Sequence, residues 1–284
     1  MIRICYIMLA HSNLNNVAQI IKLLSGDGVG FIVHIDKKCV ENTHPLCSIP
    51  EVELSNDRYD VKWGDVSMVD AVVSLIRQAL SDKRRFDYFI FLSGQCVPVK
   101  PAAYIQEYLK SHGMANFISA SPIPSVECGW LEGGRRRLEC YAVRLSERDI
   151  ATIEPRRLDF GNFRQLCKTA TRGNISALLH ALNIFLFAPK RKPLNNLRPF
   201  GGEFWWRMNR ASLETVLSYY DANPEIRQQM KVTSNPDEII FNTLAFNLCG
   251  NTANNLLTFV NWGGVKVHLN FYSCPTTRPS LTAA

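Results

Sequence analysis

Gly30-Phe31-Ile32-Val33-His34-Ile35-Asp36 is the stretch on which the fold turns. An apolar, β-branched run of this length, opened by glycine and closed by an acid, reads as a buried strand. Upstream, Gly26-Asp27-Gly28 ends a helix whose apolar residues recur at helical spacing from Val17 to Leu24, and His11-Ser12-Asn13 supplies the turn and cap that start it. Ile2 to Leu9 is another apolar run and reads as the first strand. Strand, helix and strand in this order make a βαβ unit, and ligands of such sheets sit beyond the carboxyl ends of the strands. Asp36 stands at such an end, where an acid often meets a ribose hydroxyl. No GxGxxG follows the first strand, which disfavours an ordinary dinucleotide site.

Downstream the alternation continues. Trp63-Gly64-Asp65-Val66-Ser67 leads into a helix through Val69, Val72, Val73, Leu75 and Ile76, with Asp65 or Ser67 as its cap. Phe86 to Leu92 reads as an aromatic strand. It ends at Ser93-Gly94-Gln95-Cys96, small and polar residues that mark a ligand-facing loop, and a helix follows over Ala102 to Leu109. Prolines and glycines from Pro122 to Gly134 point to loop, Leu138 to Leu145 to a strand, and 146–176 shows no clear period. Ser176 to Ala188 is an apolar helix too short to cross a bilayer, beside the basic Lys190-Arg191-Lys192. Phe200 to Arg210 returns to strand-like aromatics, in which Trp205 and Trp206 serve either sugar stacking or core packing. A helix over Ala211 to Tyr220 and a strand over Leu256 to Val260 complete the pattern.

One further stretch carries chemistry. In Ser234-Asn235-Pro236-Asp237-Glu238-Ile239-Ile240-Phe241, Pro236 suits a first helical position and Ser234 or Asn235 suits the cap. Glu238 then lies in the first turn, held ionised by exposed N–H groups and the helix dipole. Two roles share this pattern: a capping-box acid, or a general base with a fixed direction.

With 284 residues, 46% of them hydrophobic, the chain is long enough to bury a large core in one domain or two closely joined ones. Net charge is +7, with basic clusters at Arg135-Arg136-Arg137, Arg156-Arg157 and Lys190 to Lys192, which attract phosphates, acidic glycans or anionic membrane surfaces. No RNP-like or helix-turn-helix signature accompanies them, so no nucleic-acid partner is expected. Nine cysteines without CxxC spacing read as reduced, buried thiols, neither a disulfide framework nor a zinc site. The N-terminal run is too short for a signal peptide, and no apolar run is long enough for a transmembrane helix. A cytoplasmic protein is expected, with peripheral membrane contact through the basic patches.

Taken in order, Ala10-His11, His34-Ile35-Asp36-Lys37-Lys38, Trp63-Gly64-x-x-Ser67, Asp87-Tyr88-Phe89-x-x-Leu92-Ser93-Gly94, Gly202 to Arg210, Ser234-x-Pro236-Asp237-Glu238 and Phe259-Val260-x-Trp262 resemble glycosyltransferase family 14. This family comprises the core-2 and I-branching β-1,6-N-acetylglucosaminyltransferases and the peptide O-xylosyltransferases. The resemblance implies an α/β fold of GT-A type, a Rossmann-like mixed sheet flanked by helices. It implies a single domain over 1–264, with a nucleotide-sugar-binding half (1–120) and an acceptor and catalytic half (121–264), followed by an atypical tail (265–284). Inverting transfer from a UDP-sugar to a saccharide or glycan acceptor follows, with no cofactor and no metal. Carried onto these positions, Glu238 matches the catalytic base. Asp36 matches an acid near the nucleoside, and His11, Trp63, Gly64, Ser93, Gly94 and Gln95 fall on the donor side. Trp262 matches an acceptor-stacking aromatic, and Arg136, Arg137, Tyr141 and Trp205 fall on the acceptor side. Two departures stand out. Cys96 replaces an acid of the family pattern, and beyond Trp262 the basic segment that grips the diphosphate has no match, leaving Lys266 and Arg278 as substitutes.

Overall fold

A computed structural model describes residues 1–191, Leu194, 196–261 and 272–275, the last four and 260–261 by backbone alone. The N-terminal unit forms as its pattern predicts: β1 (Ile4–Ala10), α1 (Leu14–Leu24) and β2 (Val29–Ile35), the two strands parallel. Gly30 is required at the start of β2, because a Cβ there would press into the Phe86 ring. The chain continues through α2 (His44–Cys47), β3 (Val52–Leu54), α3 (Val66–Ser81) and β4 (Tyr88–Ser93). Then come β5 (Val97–Pro98), α4 (Ala102–Ser111), β6 (Asn116–Ile118), β7 (Ala120–Pro122), α5 (Arg135–Glu139), β8 (Tyr141–Arg144), β9 (Ile150–Ile153), α6 (Phe160–Arg172) and α7 (Ile175–Phe187). The remainder holds β10 (Phe200–Gly202), β11 (Arg207–Asn209), α8 (Arg210–Ala222), α9 (Pro224–Met230), α10 (Asp237–Leu248), β12 (Thr252–Asn254), β13 (Thr258–Asn261) and β14 (Tyr272–Pro275).

Seven strands form the central sheet in the order β12-β6-β11-β4-β1-β2-β3. It is mixed, since β11 runs antiparallel to both β4 and β6. Side chains alternate along β1: Ile4, Tyr6 and Met8 join the core under α1 and α4, while Cys5 and Ile7 join the core under α3, α8 and α10. Helices on both faces of a largely parallel sheet make the three-layer α/β fold that the resemblance implies. Because β2 and β4 flank β1 on opposite sides, the chain reverses its direction of sheet growth at β1, and this is where such folds place ligands. Among the described residues no helix is long and apolar enough to cross a membrane.

The middle of the chain departs from the sequence expectation. The strand expected over Leu138 to Leu145 divides into the end of α5 and the shorter β8, because Gly133 and Gly134 take left-handed backbone angles that start a helix at Arg135. Helix α6, unseen in the sequence, has Asn162 and Thr169 as its buried residues, so no apolar period announced it. Asn162 accepts from Glu154 N and donates to the Glu154 and Arg157 carbonyls, which fixes α6 to the end of β9 through polar groups. Sheet β8-β9 and helices α6 and α7 enclose a small separate core around Val143, Ala151, Ile153, Ala181 and Ile184.

The expected basic clusters are largely spent internally. Arg135 pairs with Glu132, Glu139 and Glu154. Arg157 pairs with Glu154 and Asp159. Arg191 is buried and donates to the carbonyls of Arg137, Cys140 and Gln229 and to Thr233 Oγ1. Burial pulls its guanidinium down to about 10.

Candidate active site

The carboxyl edge of the sheet carries Asp36 and the Ser93-Gly94-Gln95 loop, residues expected on the donor side. Asp36 N donates to the Ala10 carbonyl at 2.8 Å and Gly94 N to the Leu9 carbonyl at 2.7 Å, so both loops hang from the end of β1. Asp36 is only 4% exposed. Its Oδ1 accepts from Lys38 N (2.8 Å), its Oδ2 from Val61 N (3.2 Å), and Lys38 Nζ lies 3.6 Å away. The carboxylate thus braces its own loop. His34 beside it is buried, and its Nε2 accepts the Tyr59 N–H at 2.8 Å; burial holds the imidazole below its usual range, so it stays neutral. His11 is exposed past β1. At the start of α1 the carboxylate of Glu41 accepts from the Asn13 and Leu14 N–H groups at 2.6 and 2.9 Å, which hold it below the usual range. That helix N-terminus, where other nucleotide folds seat a phosphate, already has an anion of the chain itself.

The Ser93 loop explains how Cys96 replaces an acid. Cys96 is fully buried, its Sγ 3.3 Å from Ser93 Oγ and 3.3 Å from Trp205 Nε1, which donates to it. A thiolate is not needed for this, since a neutral sulfur accepts an indole N–H weakly. Gln95 N donates to Ser93 Oγ at 3.3 Å. Trp205 therefore points its polar edge at the Ser93 loop, whereas Trp206 is buried in the core against Phe91 and Phe241. The two readings of the tryptophan pair divide between its members, with Trp206 serving the core.

Glu238 opens onto a cleft of about 280 Å³ lined by Ser119, Ser121, Glu127, Trp130, Gly202 and Glu203 among others. Its helix does not start as expected. Neither Ser234 nor Asn235 caps α10 through its side chain. Asn235 instead takes a left-handed conformation (φ 51°), its carbonyl accepts Glu238 N at 3.2 Å, and its own N–H donates to the Gly64 carbonyl at 3.1 Å. The Gly64 bond is the physical reason for the difference: the turn is spent on joining the Glu238 helix to the Trp63-Gly64 loop. Trp63 is 49% exposed there, and Arg144 Nη2 donates to its carbonyl at 2.9 Å.

Arg137 Nη1 donates to Glu238 Oε2 at 2.5 Å, and both side chains are less than a fifth exposed. The Arg137 guanidinium lies 3.5 Å over the Trp130 ring. Trp130 in turn sits against Gly201 and Gly134, where any Cβ would collide with the indole. Arg136 faces the other way: it is 4% exposed and donates through Nη2 to the Thr152 carbonyl at 2.5 Å. Tyr141 donates its hydroxyl to the Pro189 carbonyl at 2.9 Å. Of the residues expected on the acceptor side, then, Arg137 meets Glu238, while Arg136 and Tyr141 hold the β8-β9 layer and its helices. Trp262, Lys266 and Arg278 lie outside the described residues.

Asp237, next to the expected base, is buried, and its Oδ1 has no hydrogen-bond partner among the described residues. Burial first, then the Glu238 carboxylate, push its carboxyl up to about 7, while its own backbone N–H and Arg137 pull the other way. Sequence reading missed Trp130 and Glu203 in the cleft. Glu203 lies in the quoted Gly202 to Arg210 segment, but Trp130 stands in a glycine-rich loop whose path no local pattern reveals. Among the described residues no group of three His, Cys, Asp or Glu side chains is placed to hold a metal ion. The arrangement can remove a proton from a hydroxyl bound in the cleft, with a cation and an indole beside the carboxylate.

Residues 4–136 match the family model of the Core-2/I-Branching enzyme, so the resemblance read from the motifs is borne out over that stretch. A curated xylosyltransferase of Ciona intestinalis is 23% identical over 184 residues, covering 61% of this chain. The chain spans 22% of that relative's length.

Proposed function

We propose that the chain is an inverting, metal-independent glycosyltransferase that moves a sugar, N-acetylglucosamine in the first instance, from a UDP-sugar to a saccharide hydroxyl. In this reading 1–120 is the donor half and 121–264 the acceptor half. The observation that carries it is Glu238: a carboxylate in the first turn of α10, opening onto a cleft between Trp130 and Glu203 and tied through Asn235 to the Trp63-Gly64 loop. The acceptor hydroxyl gives its proton to Glu238 as its oxygen bonds to the anomeric carbon. The bond to the diphosphate breaks on the opposite face, and its electron pair leaves with UDP. Arg137, held flat by Trp130, keeps the carboxylate in one direction. The developing charge on the diphosphate calls for fixed cations or N–H dipoles. The partners are a nucleotide-sugar donor and a glycan acceptor, with peripheral contact to an anionic surface.

A UDP-xylose donor is the second reading, favoured by the name of the Ciona relative. UDP release from UDP-N-acetylglucosamine and UDP-xylose, with saccharide acceptors, separates the two. Glu238→Gln should lower turnover by roughly 10²- to 10⁴-fold with UDP affinity near wild type, the size expected of a lost general base. Retention of more than about a tenth of wild-type transfer would reject the base. EDTA should leave transfer intact. Loss on chelation, restored by manganese, would reject metal independence, and no turnover with any donor would leave a carbohydrate-binding protein with a silent site.

A further inference from the structure

Helices α6 and α7 present an apolar outer face that the other described residues leave exposed. Of the sixteen exposed large hydrophobic residues among those described, eight lie between Leu158 and Phe187. On α7, Ile175, Leu179, Leu182 and Leu186 recur at spacings of four, three and four, one stripe on one side of the helix. The opposite side, Ala181 and Ile184, packs on β8-β9. This helix is apolar on both its buried and its open sides, a pattern that in a soluble, unpartnered element costs free energy. The Arg156 backbone N–H donates to the Phe185 carbonyl at 2.8 Å, which brings the start of α6, with Leu158 and Phe160 exposed by 91% and 80%, beside the end of α7 and its exposed Phe187.

Charge says what covers this face. From Phe160 to Gly202 the sequence has seven Lys and Arg and no Asp or Glu; Lys168 and Arg172 pair with Asp149 and Arg191 is buried, so Arg164, Lys190 and Arg198 are the segment's exposed cations among the described residues that no acid pairs. Arg164 is exposed on α6 next to Phe163, and Lys190 is exposed just past α7. A second copy of the chain docking through the same face would set two acid-free, cationic segments against each other. An anionic lipid surface satisfies both features, since aliphatic and aromatic side chains enter the acyl boundary while cations meet the headgroups. At 13 residues α7 is about 20 Å long, enough to lie in the interface and too short to cross it.

We propose that the α6–α7 hairpin is a monotopic membrane-binding element that inserts its outer face into an anionic leaflet. This differs from contact through the arginine cluster at Arg135 to Arg137, whose charges are paired or buried, and it does not depend on the transfer chemistry. The test is co-sedimentation of the whole chain with vesicles of phosphatidylcholine alone and with about 30% phosphatidylglycerol. Binding to the anionic vesicles is expected, weakened several-fold when salt is raised from about 0.1 to 0.5 M as charges are screened. The triple variant Leu179→Ser, Leu186→Ser, Phe187→Ser should bind at least about 30-fold more weakly, because three inserted side chains are lost. Its circular dichroism and melting temperature should match wild type, these residues being exposed. Arg164→Glu with Lys190→Glu should weaken binding about tenfold. The proposal is overturned if wild type ignores anionic vesicles, if the triple variant binds as well as wild type, or if the wild type forms dimers that the triple variant does not and neither binds vesicles.

Discussion

Replacing Asp237 by Asn should make the protein more stable in mild alkali and change little in mild acid. The carboxyl is buried, one oxygen lacks a partner among the described residues, and its ionisation places a second negative charge beside Glu238. Its folded pKa, pushed up to about 7, lies above the unfolded value near 3.9, so between these the native state binds more protons than the unfolded chain. Stability from this group is therefore fully present at low pH and falls as pH rises through about 4 to 7. Three pH units at 1.36 kcal/mol each set a ceiling of about 4 kcal/mol; local relaxation and water penetration lower the cost of a buried charge, so about 1–3 kcal/mol is expected in practice. Asn has the same shape and no charge, so the variant should lack this slope. Urea unfolding followed by circular dichroism at pH 5 and pH 8 measures it: about two of the three pH units lie above pH 5, so the gain of Asp237→Asn over wild type should be about 1–2 kcal/mol larger at pH 8. In thermal melts this is a further rise of about 2–4 °C. A difference between the two proteins that is the same at both pH values would refute the reasoning.

Gly202→Ala should destabilise by about 2–4 kcal/mol, because its Cβ would collide with the Ser119 carbonyl oxygen and lie 2.6 Å from Ala120 Cα where β10 meets β7; an unchanged urea midpoint would count against this packing. Asp36→Asn should lose about 1–2 kcal/mol, since its carboxylate accepts both Lys38 N and Val61 N and an amide cannot accept with both ends. It should also weaken UDP binding in calorimetry, and unchanged affinity would remove Asp36 from the donor site. Trp130→Ala should leave the Arg137 guanidinium without its platform and lower turnover more than UDP affinity; equal losses in both would make Trp130 merely structural.

The parallel strands β1, β2 and β4, with α1 and α3 between them, were legible because each declares itself locally. An apolar run bounded by glycine, or a 3.6-residue period behind a polar cap, reflects burial on a face set by backbone geometry alone. Glu238 was legible for a similar reason, as proline and paired acids mark a helix start wherever it lies. The cap was misread because Asn235 bonds to Gly64, a partner 171 positions away in the sequence numbering, and no local pattern records such a bond. Helix α6 was hidden because polar Asn162 and Thr169 fill its buried face.

What the tertiary structure alone decided is which of several like residues faces the site. Arg136 and Arg137 are neighbours of one type, yet successive helical positions point about 100° apart, so one is buried against Thr152 while the other reaches Glu238. Trp205 and Trp206 separate in the same manner, one toward Cys96 and one into the core. Composition alone determined that the chain is cationic, but pairing decides where that charge is felt. The arginines at 135–137 are consumed by acids, carbonyls and Glu238, while Arg164 and Lys190 stay exposed beside the apolar face of the hairpin. Local pattern encodes burial against an element's own axis, whereas a site and a surface are sums over distant neighbours, which appear only when the chain has folded.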